Sequence, residues 1–424
     1  MHAARVFVWP SRALVAFAVL CGVWTSGIGA SADAAPEVRA LWVVRSSLTS
    51  PAAIASLVRT AHDQGFNTLL VQVRGRGDAY YTSALEPRAA DLARQPSSFD
   101  PLATAIEQAH AAGLRVHAWI NVELISSAAE LPAAREHLVY EHPEWLMVPR
   151  AIAQELAQID PSSPGYVGKL ARWTRGEQEN VEGLYASPLL PDSAARAEAV
   201  VLDVATRYAV DGIHLDYLRY PSEQFDYSRF AIAQFRAEIR PHVDAATRRE
   251  LDAREAVDLF AYPDRFPDDW RVFRRTRLSA LMVQLRSAVR TARASALVTV
   301  AVAPEAQDAF DHRLQDWRGW VQGGLVDAIC PMAYTTDAGR FAQQIEDARH
   351  IAAERPVWAG IGSYRLTPEQ TIENILAARR LGASGFVLFS YDSLTGPRQT
   401  AADYLATVAR GVGATARTTQ PGSR

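Results

Sequence analysis

Short apolar runs of four to seven residues alternate along this chain with longer stretches in which apolar side chains recur every three to four positions. The runs at 38–44 (VRALWVV), 68–73 (TLLVQV), 115–120 (RVHAWI), 212–215 (GIHL), 297–303 (LVTVAVA), 328–332, 357–361 and 385–389 predict eight strands. They are brief and nearly continuously apolar, the pattern of strands covered on both faces. Helical spacing predicts helices over 51–64, 101–112, 193–208, 228–239, 268–293, 316–322, 340–355, 368–381 and 399–410. Several carry their own start signals. Ser50, Asp100 and Thr367 each precede a proline at the first helical position, and Gly65 and Gly113 close the first two helices.

Strand–helix alternation calls for a parallel sheet with helical crossovers. Eight such units point to a closed α/β architecture, the (β/α)8 TIM barrel, with long insertions after strands three and four. The first insertion, 121–192, is rich in proline and reads as a loop region, and loops of that length are usually functional. No G-x-G-x-x-G follows the first strand. The run Arg74-Gly75-Arg76-Gly77-Asp78 after the second lacks that spacing and any Walker lysine, which argues against a nucleotide cofactor.

The 424 residues are 49% hydrophobic with a net charge of -3, which gives no electrostatic basis for binding nucleic acid. At the N-terminus Arg5 and Arg12 precede an apolar run, 13–24, and the small residues Ala30, Ala32 and Ala34. That layout is a secretory signal over 1–34, and the run falls short of the ~20 residues a spanning helix needs. The chain is therefore expected to be exported to the periplasm or beyond, with no membrane span after cleavage. The barrel is expected over 35–411 and a disordered tail over 412–424. Removal of the signal leaves Cys330 as the one cysteine, so no internal disulfide is expected.

Chemistry in such a barrel lies at the C-terminal ends of the strands. The polar residues falling there are Gln72, Arg74, Asp78 and Tyr80 after strand two, and Trp119, Asn121 and Glu123 at strand three. His214, Asp216 and Arg219 mark strand four, Glu305 strand five, Tyr334 strand six and Asp392 strand eight. Acids, amides and aromatic rings at one rim suit a sugar, whose hydroxyls and ring faces they complement. Asp216 is the leading catalytic candidate, with Arg219 close enough in sequence to hold it ionised. Glycoside hydrolysis uses two carboxyl groups. Glu305 is the expected partner, as general acid/base, with Asp392 and Glu123 as alternatives. His214 shares the strand face of Asp216, as substrate ligand or as barrel core. The lack of clustered His and Asp spacing argues against a metal. Asp211-Gly212 reads as a tight turn at the opposite end of the barrel.

Several motifs together resemble the glycosyl-hydrolase-like 10 family, over about 37–392. They are Glu37-Val38-Arg39-Ala40-Leu41-Trp42, Val71-Gln72-Val73-Arg74 with Gly77-Asp78-Ala79-Tyr80-Tyr81, and His117-Ala118-Trp119-Ile120-Asn121. Asp211-Gly212-Ile213-His214-Leu215-Asp216 with Arg219-Tyr220-Pro221, Cys330-Pro331-Met332-Ala333-Tyr334 and Gly385-Phe386-Val387-Leu388-Phe389-Ser390 complete the set. The resemblance implies a TIM-barrel glycoside hydrolase of the bacterial envelope, some relatives acting on peptidoglycan glycan strands stripped of stem peptides. It places Asp216 at the family's strand-four aspartate, and Gln72, Arg74, Asp78, Asn121, His214 and Tyr334 at its rim positions. Many members carry a second aspartate where this chain has Tyr217. The alternatives to peptidoglycan hydrolysis are a carbohydrate-binding barrel without catalysis and a hydrolase of another secreted polysaccharide.

Overall fold

The computed structural model describes residues 36–413, apart from 398, 400 and 402. The expected signal segment, and the expected tail beyond 413, lie outside the described residues. Among the described residues, those from Glu37 onward form one compact unit.

Ten strands form: β1 Val38–Val43, β2 Thr68–Arg74, β3 Arg115–Asn121, β4 Leu124–Ser127, β5 Gly183–Tyr185, β6 Gly212–Asp216, β7 Leu297–Val302, β8 Ala328–Ala333, β9 Trp358–Ile361 and β10 Gly385–Phe389. Eight of them close into a parallel barrel in the order β1-β10-β9-β8-β7-β6-β3-β2, with helices between them, and β4 and β5 form a separate antiparallel pair. The barrel strands lie within one residue of the apolar runs at either end. The expected caps are made: Ser50 accepts from the Ala53 N–H, Asp100 from Ala103, and Thr367 closes a capping box with Gln370. No helix among the described residues is long and apolar enough to cross a membrane.

Side chains on alternate strand positions point into the barrel. Val38, Ala40, Trp42, Leu70, Trp119, Ala328, Cys330, Trp358 and Val387 form an interior cluster distinct from the larger one between strands and helices. On β6 the same alternation runs Gly212, His214, Asp216, so the aspartate is the last inward position before the mouth. Gly212 is needed here for packing: a Cβ on it would lie 2.5 Å from the His117 ring. The carboxylate of Asp211, beside it, accepts from the Val116 N–H at the barrel floor.

The segment 121–192 contains more order than its proline content implied. Helices Leu138–Glu141, Arg150–Leu156 and Pro164–Gly176 form within it. They pack with Arg229–Ile239 and Trp270 and Phe273 from the second insertion in a joint apolar cluster. At the other end, the expected helix over 399–410 is shorter, Tyr404–Gly411. Val412, placed in the tail by the sequence, is buried, and its carbonyl accepts from Arg379.

Candidate active site

β6 ends at the barrel mouth with Asp216, which is 5% exposed and lines a cavity of about 200 Å³ with Trp42, Arg45, Gln72, Arg76, Trp119, Tyr217, Arg219, Tyr334 and Phe389. Its Oδ1 accepts the Tyr217 backbone N–H at 2.7 Å and lies 3.5 Å from Arg219 Nη1. The Trp119 indole also stands close enough to the carboxylate to favour its charged form. Tyr217 holds φ at 52°, the left-handed region that non-glycine residues avoid, and that turn aims its amide at the carboxylate. Burial raises the pKa of Asp216, and Arg219, the Tyr217 N–H and the nearby Trp119 indole pull against it without cancelling it. Arg219 pairs with the aspartate as the spacing led us to expect and favours its charged form, while burial leaves the pKa above the ordinary value.

Arg219 is itself shared. Its Nη2 lies 3.1 Å from Glu182 Oε1, and its guanidinium stacks over the Tyr217 ring. Glu182, just ahead of β5, also accepts from the Tyr185 hydroxyl, and these partners hold it below the usual carboxylate range against the cost of its burial. Both of its oxygens are occupied, so Glu182 acts through Arg219.

Beneath the carboxylate, Trp42 Nε1 donates to His214 Nε2 at 3.0 Å, and His214 Nδ1 lies 2.9 Å from Thr299 Oγ1. An indole N–H is only a donor, so Nε2 is the acceptor and the proton sits on Nδ1. Burial favours this neutral ring by pulling the His214 pKa well down. His214 is thus barrel core that fixes Trp42 under the cavity. The walls are aromatic: Tyr334 stacks on Phe389 at 5.4 Å and meets Trp42 edge-on at 6.2 Å.

Of the residues singled out in the sequence, Asp216, Gln72, Trp119, Arg219 and Tyr334 come together in this cavity. The others are engaged elsewhere. Glu305 stands at the N-cap position of the helix Ala306–His312 without a side-chain cap bond, and accepts instead from Arg340 and Gln344, both at 2.8 Å. Burial opposes its charge, but these donors hold its pKa below the ordinary value. That is the reverse of a general acid, and Glu305 does not line the cavity. Arg74 is 2% exposed and pairs through two hydrogen bonds with buried Glu86, both 2.7 Å, while its Nη1 serves the carbonyls of Asn121 and Val122. Asn121 donates to the Gly75 carbonyl. Tyr80 is core, with its hydroxyl on Asp91. Asp78 accepts from the Arg76 N–H. Glu123 is buried with Oε1 unpartnered, and burial raises its pKa well up despite Arg74.

Asp392 lines a larger neighbouring cavity of about 800 Å³ that shares Val44 with the first. Its oxygens accept from the Val44 N–H at 2.7 Å and from the hydroxyls of Ser46 and Ser47, so it fastens the loop after β1. The smaller cavity is the one that Asp216 lines. Arg45, Arg76 and Glu182 were missed, and Tyr217 was noted only as the place of the family's second aspartate. Arg45 and Arg76 sit just past strands β1 and β2, the positional signal that was applied to Arg74. Among the described residues no three His, Cys, Asp or Glu side chains gather as a metal site.

Residues 37–373 match the family model described as glycosyl hydrolase-like 10. The chain is 22% identical over 400 residues to glycosyl hydrolase YngK of Bacillus subtilis, covering 83% of this chain and 67% of that one. It is 23% identical over 291 residues to glycosyl hydrolase DigH of Escherichia coli K12, covering 64% of this chain and only 55% of the relative. Among solved structures it is similar to the PgaB (BpsB) glycoside hydrolase domain from Bordetella bronchiseptica, with TM-score 0.59 and 15% identity over 86% of this chain and 96% of that one. It is also similar to alpha-L-fucosidase isoenzyme 2 from Paenibacillus thiaminolyticus, with TM-score 0.57 and 16% identity over 89% and 49%.

Proposed function

The chain belongs to the glycosyl hydrolase-like 10 family, and from that premise we propose that it hydrolyses an envelope glycan, the peptide-free strands of peptidoglycan, after export. The observation that carries the reading is Asp216 at the last inward position of β6, lining the cavity with its pKa raised by burial. A carboxyl group whose pKa is raised by burial is a better match for giving its proton to a leaving glycosidic oxygen.

Asp216 is the one carboxyl lining the cavity among the described residues. A substrate that brings its own nucleophile fits such a site. In our reading the carbonyl oxygen of a 2-acetamido group attacks the anomeric carbon as Asp216 protonates the departing oxygen. The Asp216 carboxylate then takes a proton from the water that opens the resulting ring. The aromatic wall of Tyr334, Phe389 and Trp119 supports a sugar face.

The test is to incubate the full chain with peptide-free glycan strands, chitin oligomers and an unrelated exopolysaccharide and to measure new reducing ends. Release from the peptidoglycan strands is expected. Binding without release would make the barrel a carbohydrate-binding protein, and release from the exopolysaccharide alone would move the substrate.

A further inference from the structure

Three arginines line the cavity around Asp216: Arg45, Arg76 and Arg219. Arg219 has two acids to neutralise it. Among the described residues Arg45 and Arg76 form no salt bridge. Arg45 Nη1 donates to Gln72 Oε1 at 3.0 Å, Arg76 Nη1 to the Gly75 carbonyl at 3.0 Å, and the buried Arg76 Nε has no partner. Burial and the charge of Arg45 both act to lower the pKa of Arg76, and the milder attraction of Tyr217, Tyr185 and Asp78 does not offset them. Two like charges in a half-buried cavity are a standing cost unless an anion joins them.

The loop is built to keep them there. The Arg76 backbone is pinned on both sides, its N–H by Asp78 Oδ1 at 3.0 Å and its carbonyl by His137 Nε2 at 2.7 Å. A side chain at position 75 would collide with the Arg45 guanidinium, since a Cβ there falls 2.8 Å from Nη1. Gly75 therefore leaves the space Arg45 occupies.

We propose that Arg45 and Arg76 form a carboxylate-binding subsite beside Asp216, so that the glycan this chain accepts carries an acidic substituent next to the scissile bond. The inference rests on the glycan reading above and narrows it: neutral polymers such as chitin lack the group these cations require. Paired guanidinium groups match the planar oxygens of a carboxylate.

The experiment uses the full chain carrying Asp216→Asn, so that binding is read without cleavage. Peptide-free glycan fragments with intact lactyl carboxylates are titrated calorimetrically against the same fragments with those carboxylates reduced to alcohols. The intact form is expected to bind at least about ten-fold tighter, the scale of one charge-assisted contact. The gap should shrink with added salt, vanish on adding Arg76→Gln, and partly return with Arg76→Lys. Arg45→Gln provides the same readout if Arg76→Gln fails to fold. Equal affinity for the two forms would overturn the subsite and leave a glycan-binding barrel standing. Binding to neither would overturn it together with the glycan reading. A carboxylate preference in this variant, with no reducing ends released by the wild-type chain, would sink hydrolysis and uphold the subsite.

Discussion

Arg219 places its guanidinium 3.5 Å from Asp216, yet the aspartate still titrates above an ordinary carboxyl because the arginine is divided with Glu182 and burial dominates. Removing the cation, as in Arg219→Gln, takes away a charge that favours the carboxylate. The pKa of Asp216 should rise further. A general acid works while protonated, so the alkaline limb of kcat/KM should move to higher pH even as the rate falls. A limb that stays in place would detach the titration from Asp216.

The same burial makes Asp216 a stability liability. Its folded pKa exceeds the unfolded value, so the folded state holds the proton more tightly. Stability is then lost as pH rises from the unfolded pKa through the folded one. Asp216→Asn removes that loss. Thermal unfolding should give a higher Tm than wild type at neutral pH and a matching Tm below about pH 4, where both states are protonated. A lower Tm at neutral pH would contradict the assignment.

Arg74 is a structural ion pair in this account. Arg74→Met leaves Glu86 charged and buried and should cost about 3–5 kcal/mol by chemical denaturation, with partial recovery when Glu86→Gln is added. The KM of whatever fraction folds should be unchanged, and a KM defect without a stability defect would return Arg74 to the substrate site.

How much of this was readable in the sequence depended on whether position alone decided the outcome. The strands were legible because a parallel barrel buries both faces and leaves continuous apolar runs, and the caps at Ser50, Asp100 and Thr367 are local chemistry. Asp216 was legible because the alternation Gly212, His214, Asp216 fixes which way it points. Glu305 stands at an equivalent strand end, but its backbone turns into a short helix, and Arg340, distant in sequence, captures the side chain. Arg74 and Arg76 were interchangeable on the page. The register shift between Gln72 and Arg74 against β3 lets Arg74 reach Glu86 while Arg76 meets the cavity. Helices in 121–192 were hidden because their apolar faces meet the second insertion, a contact no local pattern encodes, although Ser163-Pro164 was a cap signal in plain view.

Glu305→Gln follows from that correction. The variant should turn over the glycan at the wild-type rate within about two-fold and unfold at the wild-type temperature, as changes to exposed ion pairs usually do. A loss of several orders of magnitude would restore it as the second carboxyl.

With Asp216 the one carboxyl lining the cavity among the described residues, the proposed mechanism makes the substrate's acetamido group part of the machinery. Glycan strands whose amino sugars have been de-N-acetylated should bind yet release no reducing ends, while N-acetylated strands are cut. Equal cleavage of both would require a protein carboxylate as nucleophile or base, with Glu182 the first to examine.

The most direct measurement is the initial rate of reducing-end release from peptide-free glycan strands by wild type and Asp216→Asn at equal folded concentration. The account predicts robust release by the wild type and a fall of at least about 100-fold in the variant, the lower bound for losing a positioned proton donor. Release by Asp216→Asn at the wild-type rate would contradict it.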